Sequence, residues 1–572
     1  MNRREFLHVL AMAAASGLAF NSKAALANTI SGMYDLPTFG NNVTLLHFTD
    51  SHAQLLPSYY REPSVNIGVG DHHGKPPHLV GEALLKHFRI SPTSRQAYAF
   101  SSVNFEAAAK TYGKVGGFAH LATLVKKIRA QRPDALLLDG GDTWQGSATA
   151  MWTKGQDMVD ATKLLEVDVM TGHWEFTLGQ NRVKEIVRDL EGKIDFVAQN
   201  VRTADGKDAI FKPYVIKDVN GIPVAIIGQA FPYTPIMHPR HLTADWAFGI
   251  SEETLQKTVT EAAAKGAKVI VLLSHNGMGI DLKLASRVSG IDVILGGHSH
   301  DAVPQPTLVK NAGGYTLVAN GGANGKFLGV LDLQVNTKGH VAGYQYKLLP
   351  VFSNMLEADK AMSELIRKVR APYAAKLGEK LAMTEGALYR RGNFNGTFDQ
   401  LILDAMIEVK DAQIALMPGF RWGATVMPNQ AITLENVMDQ TAISYPQTSV
   451  TEMTGEAIKA ALEDVCDNVF NADPYSQHGG DMLRVGGLDY TCNPEKKIGS
   501  RISGLTFKGK PLDADKKYKV ASWASNVEAA ETKDSEPIWD VVTAYLKQKK
   551  KISMRKISQP KLVGMERNPG IA

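Results

Sequence analysis

The chain has 572 residues, is 44% hydrophobic and 21% charged, and carries a formal net charge of +5. That is ordinary globular composition in a chain too long for one core, so two domains are expected, with room for a decorated loop. So mild a charge gives no argument for a nucleic-acid-binding role, and none is expected. No apolar window of about eighteen residues follows the first thirty, so the mature chain is not expected to span a membrane.

In chain order, residues 1–27 come first and read as an export signal. Asn2-Arg3-Arg4-Glu5-Phe6-Leu7 places paired arginines before the apolar run Val9 to Phe20, and Ala25-Leu26-Ala27 supplies a small-x-small cleavage pattern. Paired arginines with Phe-Leu behind them resemble a twin-arginine (Tat) signal, and an ordinary secretory signal is the alternative. Tat translocases export folded proteins, so the expected location is the periplasm, with a metal loaded before export. Cleavage would lower the formal charge to about +3.

From Val43 to Pro350, apolar runs alternate with helical patterns, as in an α/β domain with buried strands. The expected strands are Val43–Phe48, Ala135–Leu138, Val167–Met170, Phe196–Ala198, Val224–Ile227, Val269–Leu273, Val293–Leu295 and Thr316–Ala319. Helical patterns cover Phe118–Gln131, Asn181–Asp189, Thr254–Lys265 and Asp281–Ser289. Residues 53–112 interrupt the alternation as a long insertion loop containing Asp71-His72-His73 and His78, either a polar surface loop or a metal cluster. Its place after the first motif suits a lid or a docking surface.

A helical linker is expected over 351–377, with the helix at Asp359–Ala375, and a smaller α/β domain over 378–565. That domain contains helices Asp399–Val409 and Gly455–Cys466 and a loop, Pro418 to Gly423. Cys466 and Cys492 could form a disulfide or remain thiols, and neither has the context of a nucleophile. The basic stretch Lys547 to Lys561 reads as a solvated helix face.

Five strand ends carry candidate metal ligands. They are Asp50-Ser51-His52, Asp139-Gly140-Gly141-Asp142, Gly172-His173-Trp174-Glu175, Ser274-His275-Asn276-Gly277 and Gly296-Gly297-His298-Ser299-His300. In an open parallel sheet the carboxyl ends of neighbouring strands share one crevice. Residues i and i+2 of an extended segment point the same way, so each Asp-x-His or His-x-His pair could face one ion. Imidazole with carboxylate suits Mn, Fe or Zn, and one carboxylate can bridge two ions.

The motif order resembles the calcineurin-like metallophosphoesterases, and most closely their 5′-nucleotidase branch. The resemblance covers nearly all of residues 43–560, with Gly419-Phe420-Arg421 in the place of the substrate loop of the C-terminal domain. It implies a four-layer αββα N-terminal domain and a smaller α/β C-terminal domain. It also implies two divalent metal ions, with Asp50, His52 and His300 holding one, His275 and His298 the other, and Asp142 bridging. His173 stands where the family has an Asn ligand. The family's catalytic His is replaced by Trp174, which can neither protonate a leaving oxygen nor stabilise charge as imidazolium.

Gly172-His173-Trp174-Glu175, with residues 138–146 and 274–279, is similar to the SoxB thiosulfohydrolases of sulfur oxidation. This resemblance implies a dimanganese hydrolase that releases sulfate from a cysteine S-thiosulfonate on a sulfur-carrier protein (SoxYZ). The persulfide-type leaving group departs without an acid. Water activated between the ions would attack the terminal sulfonate sulfur, with Arg421 neutralising oxygens that gain charge and Asn393 and Asn395 as further pocket residues. The competing readings are a periplasmic 5′-nucleotidase, with Tyr445 and Tyr475 sandwiching a base, and a non-catalytic metal-binding protein.

Overall fold

The computed structural model describes residues 32–40, 43–524, 535–553 and 556–572, so the expected export signal lies outside the described residues. Two six-stranded sheets stack face to face in the first domain. One contains Val43–Phe48 (β1), Leu136–Asp139 (β2) and Val169–Met170 (β3), flanked by Asp195–Phe196 and by the hairpin Phe327–Val335/Val341–Pro350. The other runs Tyr214–Val219, Ile222–Gln229, Val269–Ser274 (β4), Val293–Gly296 (β5), Gly314–Asn320 and Thr307–Asn311.

Alternation along the strands explains the layers, because side chains two apart share a face. Leu45 of β1 joins Leu138, Val169, Val271, Leu273 and Leu295 in the core between the sheets. Leu46 and Phe48 point the other way, onto helix Phe118–Arg129. In β4, Ile270 and Leu272 likewise pack outward against helices Glu252–Ala264 and Met278–Arg287. The result is the αββα sandwich, with its central strands buried on both faces.

Two expectations change here. The strands carrying the motifs do not share one open parallel sheet: β1, β2 and β3 are parallel neighbours in one sheet, β4 and β5 in the other. The hairpin beyond residue 326 has no counterpart in the expected strands. Its strand Phe327–Val335 contains a buried acid, Asp332, which breaks the apolar pattern and is satisfied by Arg132 at 2.8 Å and the Thr44 hydroxyl at 2.6 Å.

Residues 53–112 are not one long loop. They contain helices Gly81–His87, Arg95–Phe100 and Phe105–Tyr112, whose Leu84, Leu85, Tyr98 and Phe105 join the inter-sheet core cluster. The chain's last residues run alongside: Asn66 N–H donates to Gly570 O and Ala572 N–H to Ser64 O, at 2.8 and 2.9 Å. His72 and His78 face each other with ring centroids 6.1 Å apart, but neither joins a metal-binding group among the described residues.

Asp359 caps helix Lys360–Arg370, which leads into the second domain. There a four-stranded sheet, Thr448–Thr454, Lys517–Trp523, Ile414–Gly419 and Asp481–Gly486, packs against helices Thr397–Val409 and Gly455–Phe470. Cys466 and Cys492 are buried free thiols with their sulfurs 3.6 Å apart. The start of the basic stretch is the solvent-facing end of helix Ile538–Lys549, where Lys547 and Lys549 pair with Glu379 and Glu408, and Lys551 beyond it pairs with Glu385. Among the described residues no helix is long and apolar enough to cross a membrane.

Candidate metal centre

The ends of β1 to β5 meet in the cleft between the two domains. Two groups of ligand atoms form there, each with all its atoms within 4.8 Å of one another. Asp50, His52, Asp142 and His300 make the first, and Asp142, His173, His275 and His298 the second. Asp142 belongs to both. Its Oδ2 lies 3.1 Å from His275 Nε2, 3.2 Å from His173 Nδ1 and 3.5 Å from His52 Nε2.

The backbone makes this convergence possible. Asp50, His52, Asp142, His298 and His300 all have positive φ, at 51°, 44°, 58°, 72° and 59°. Left-handed backbone is uncommon for non-glycine residues and costs on the order of 1 kcal/mol each, so it persists where the surroundings enforce it. The ligands therefore sit on tight turns, and the expectation that each i, i+2 pair faces one ion from an extended segment fails for His298 and His300, which enter different groups. Gly297 is required by crowding: a Cβ there would lie 2.3 Å from Thr49 Oγ1 and 2.8 Å from Asp50 Oδ2.

Glu175 braces the loops. Its carboxylate accepts N–H bonds from Thr143 at 2.6 Å, His173 at 2.7 Å and Asp142 at 3.2 Å, tying the turn after β2 to the turn after β3. His275 Nδ1 faces Gly140 O at 2.6 Å, which leaves Nε2 for an ion. Burial pushes His298 well below the usual imidazole range and His300 down to about 4, keeping both neutral as ligation requires. His275 is opposite in sign: burial works against its charge, but Asp142 and Asp50 lift it to about 10. The carboxylates thus create a negative potential that divalent cations would meet.

The residues fit such ions. Both ring nitrogens of His298 and Nε2 of His275 are buried without hydrogen-bond partners, which native interiors rarely leave so, and the Nε2 atoms of His52 and His300 converge to 3.0 Å beside Asp142 and Asp50. Imidazole and carboxylate suit Mn, Fe or Zn, and neither group contains a thiolate.

Aromatic side chains wall the centre. Trp174, 5% exposed, packs edge-on against Phe420 and Trp422 of the second domain, with ring centroids 5.4 and 4.9 Å apart. Trp422 stacks on His52 at 5.0 Å. His238, outside every sequence motif, stands 4.4 Å from the Trp174 ring, and burial holds it well below the usual imidazole range. Neither His238 nor the bracing role of Glu175 was anticipated from the sequence, and only the place of Glu175 in a motif could have signalled it.

A cavity beside the centre is lined by His298, Asn276, Arg391, Asn393, Arg421 and Asp481, among others. The Arg421 guanidinium donates to Gly480 O at 2.6 Å and His298 O at 3.3 Å, pinned over the second group. Asn393 uses its amide on Ile67 N–H and Asp481, at 2.7 and 3.2 Å, so it shapes the cavity wall. Asn395 does not line the cavity: its amide bonds Val485 N–H and C=O, and the expected substrate contact gives way to a structural role. Tyr445 and Tyr475 form no sandwich, since Tyr445 stacks on Trp174 whereas Tyr475 bonds Glu252 and lies under Lys283.

The calcineurin-like phosphoesterase family model matches residues 43–302, and that of the 5′-nucleotidase C-terminal domain residues 379–530. The chain belongs to the 5′-nucleotidase/calcineurin-like metallophosphoesterase superfamily. As such it is a hydrolase. Rat 5′-nucleotidase is 26% identical over 452 residues, covering 71% of this chain and 76% of the rat protein. Among solved structures, a sulfate thiohydrolase SoxB from Thermus thermophilus is 36% identical with a TM-score of 0.88, covering 93% of this chain and 98% of that one. A 5′-nucleotidase precursor, also from Thermus thermophilus, is 26% identical with a TM-score of 0.72, covering 91% and 99%. The two buried groups that share Asp142 fit a dinuclear metal site.

Proposed function

We propose that this superfamily member is a periplasmic thiosulfohydrolase, exported by the Tat route, that releases sulfate from a cysteine S-thiosulfonate on a sulfur-carrier protein of the SoxYZ type. The observation that carries this reading is Trp174, an indole locked among Phe420, Trp422 and Tyr445 where the family's acid would stand. An alkoxide leaving from phosphate needs a proton donor, and an indole N–H of such high pKa cannot be one. A persulfide sulfur needs none. The 36% identity to SoxB over nearly all of that chain supports the same substrate class.

In this hydrolysis the water oxygen joins the terminal sulfonate sulfur and the S–S bond breaks. Its electron pair stays on the sulfane sulfur, and the water's protons pass to solvent. Two divalent ions, manganese by analogy with the SoxB group, would when bound activate water and offset charge on the sulfonate oxygens. Asp50, His52 and His300 would hold one ion and His173, His275 and His298 the other, with Asp142, which belongs to both groups, available to each. Arg421, fixed by His298 O and Gly480 O and with Nε 3.6 Å from Asp481 Oδ1, lines the cavity, where its remaining N–H groups and positive charge would meet the sulfonate. Trp174 and Trp422 keep bulk water from the leaving sulfur.

The 5′-nucleotidase reading is favoured by sequence relatives such as the rat enzyme. The deciding experiment offers metal-loaded protein either thiosulfonated carrier or AMP. Sulfate release with little phosphate release is expected, and the reverse would overturn the proposal.

A further inference from the structure

His238 follows the short helix Thr234–Met237 and is 4% exposed. Its Nε2 lies 3.0 Å from His173 Nε2, and its Nδ1 lies 2.7 Å from the Tyr445 hydroxyl. On its far side, His173 turns Nδ1 toward Asp142 Oδ2 at 3.2 Å. The Phe231 ring, 4.0 Å from His173, and the Trp174 ring, 4.4 Å from His238, hold the two imidazoles in place.

With an ion on His173 Nδ1, one proton arrangement satisfies every contact. The His173 proton sits on Nε2 and donates to His238 Nε2, so the His238 proton sits on Nδ1 and donates to the Tyr445 oxygen. Histidines that ligate metals commonly give their second N–H to such a partner, which sets ring orientation and tautomer. We propose that His238 and Tyr445 form a hydrogen-bonded chain that positions His173 for its metal ion, so that the second domain, through Tyr445, tunes the affinity of that one site. His238 and Tyr445 are positioning residues. The inference rests on the two-ion reading of the centre and is independent of the substrate.

The test is equilibrium dialysis of the full-length mature protein against Mn(II), with metal quantified and the electron paramagnetic resonance spectrum recorded. The unmodified protein should bind two ions and give the spectrum of an exchange-coupled pair. In His238→Ala the site containing His173 should weaken by about 10- to 100-fold, leaving at limiting manganese the six-line spectrum of a single ion. His238→Gln, which keeps an acceptor toward His173, should recover most of the lost affinity, and Tyr445→Phe, which removes one oxygen, should lose part of it. Two ions bound by His238→Ala with unmodified affinity, or both weakened alike, would overturn the inference. Should His238→Ala fail to fold, unchanged affinity in Tyr445→Phe would overturn it instead. Fewer than two ions on the unmodified protein would overturn the two-ion reading itself.

Discussion

Trp174 and Tyr445 lie ring over ring across the domain boundary, their centroids 6.0 Å apart and their planes 7° from parallel. The indole is therefore part of the domain interface, and its position next to His173 is fixed by packing from both sides. On the proposed function, a side chain held this way would determine which leaving groups the centre can expel.

Restoring an imidazole there should change the chemistry. Trp174→His is expected to raise phosphate release from AMP by at least about tenfold, at the lower edge of what a positioned acid contributes. Sulfate release from thiosulfonated carrier should not improve. Parallel assays of the two products check this, and an unchanged AMP rate would show that Trp174 does not limit phosphoester hydrolysis.

Asp142 is shared by both ligand groups, so its loss should empty both. Asp142→Asn keeps the shape and removes the charge that bridges the sites. Turnover should fall by about 10³-fold or more, as when an essential group of a hydrolytic centre is lost. Metal analysis after dialysis should find well under two ions per chain.

Arg421 directs its hydrogen bonds to the main-chain carbonyls of His298 and Gly480 and not to the imidazoles or carboxylates of the centre. Arg421→Ala should therefore retain both ions while turnover of the thiosulfonate drops by about 10²-fold, the scale of a lost oxyanion donor. Retained turnover would remove Arg421 from the mechanism.

Asp292, just before β5, accepts the Ile270 N–H at 2.8 Å, and burial lifts its carboxyl to about 6. Between its unfolded value of about 4 and its folded value the native state binds the extra proton, so this contribution to stability is present below pH ~4 and lost as pH rises through 6. Asp292→Asn removes that dependence. Relative to the unmodified protein, the variant should gain about 1–2 kcal/mol between pH 4.5 and 7, read as a shift in thermal unfolding.

The sequence by itself determined what depends on near neighbours along the chain. Buried strands announce themselves by apolar runs, and a candidate ligand one to three residues past a strand end is legible beside it, as Asp50, Asp142, His173, His275 and His298 are. Trp174 beside His173, the departure on which the proposed function turns, is equally local. Only the tertiary structure decided which strands share a sheet, because β1 and β4 are both short runs buried on two faces and separate through what packs on their outer faces. It also decided that Asn395 serves a strand and not the cavity, since an amide looks alike in sequence whether it meets Val485 or a substrate. The contact of His238 with Tyr445 spans 207 residues and joins two domains. No periodicity encodes such a pair, because it exists only once two separately folded surfaces are pressed together.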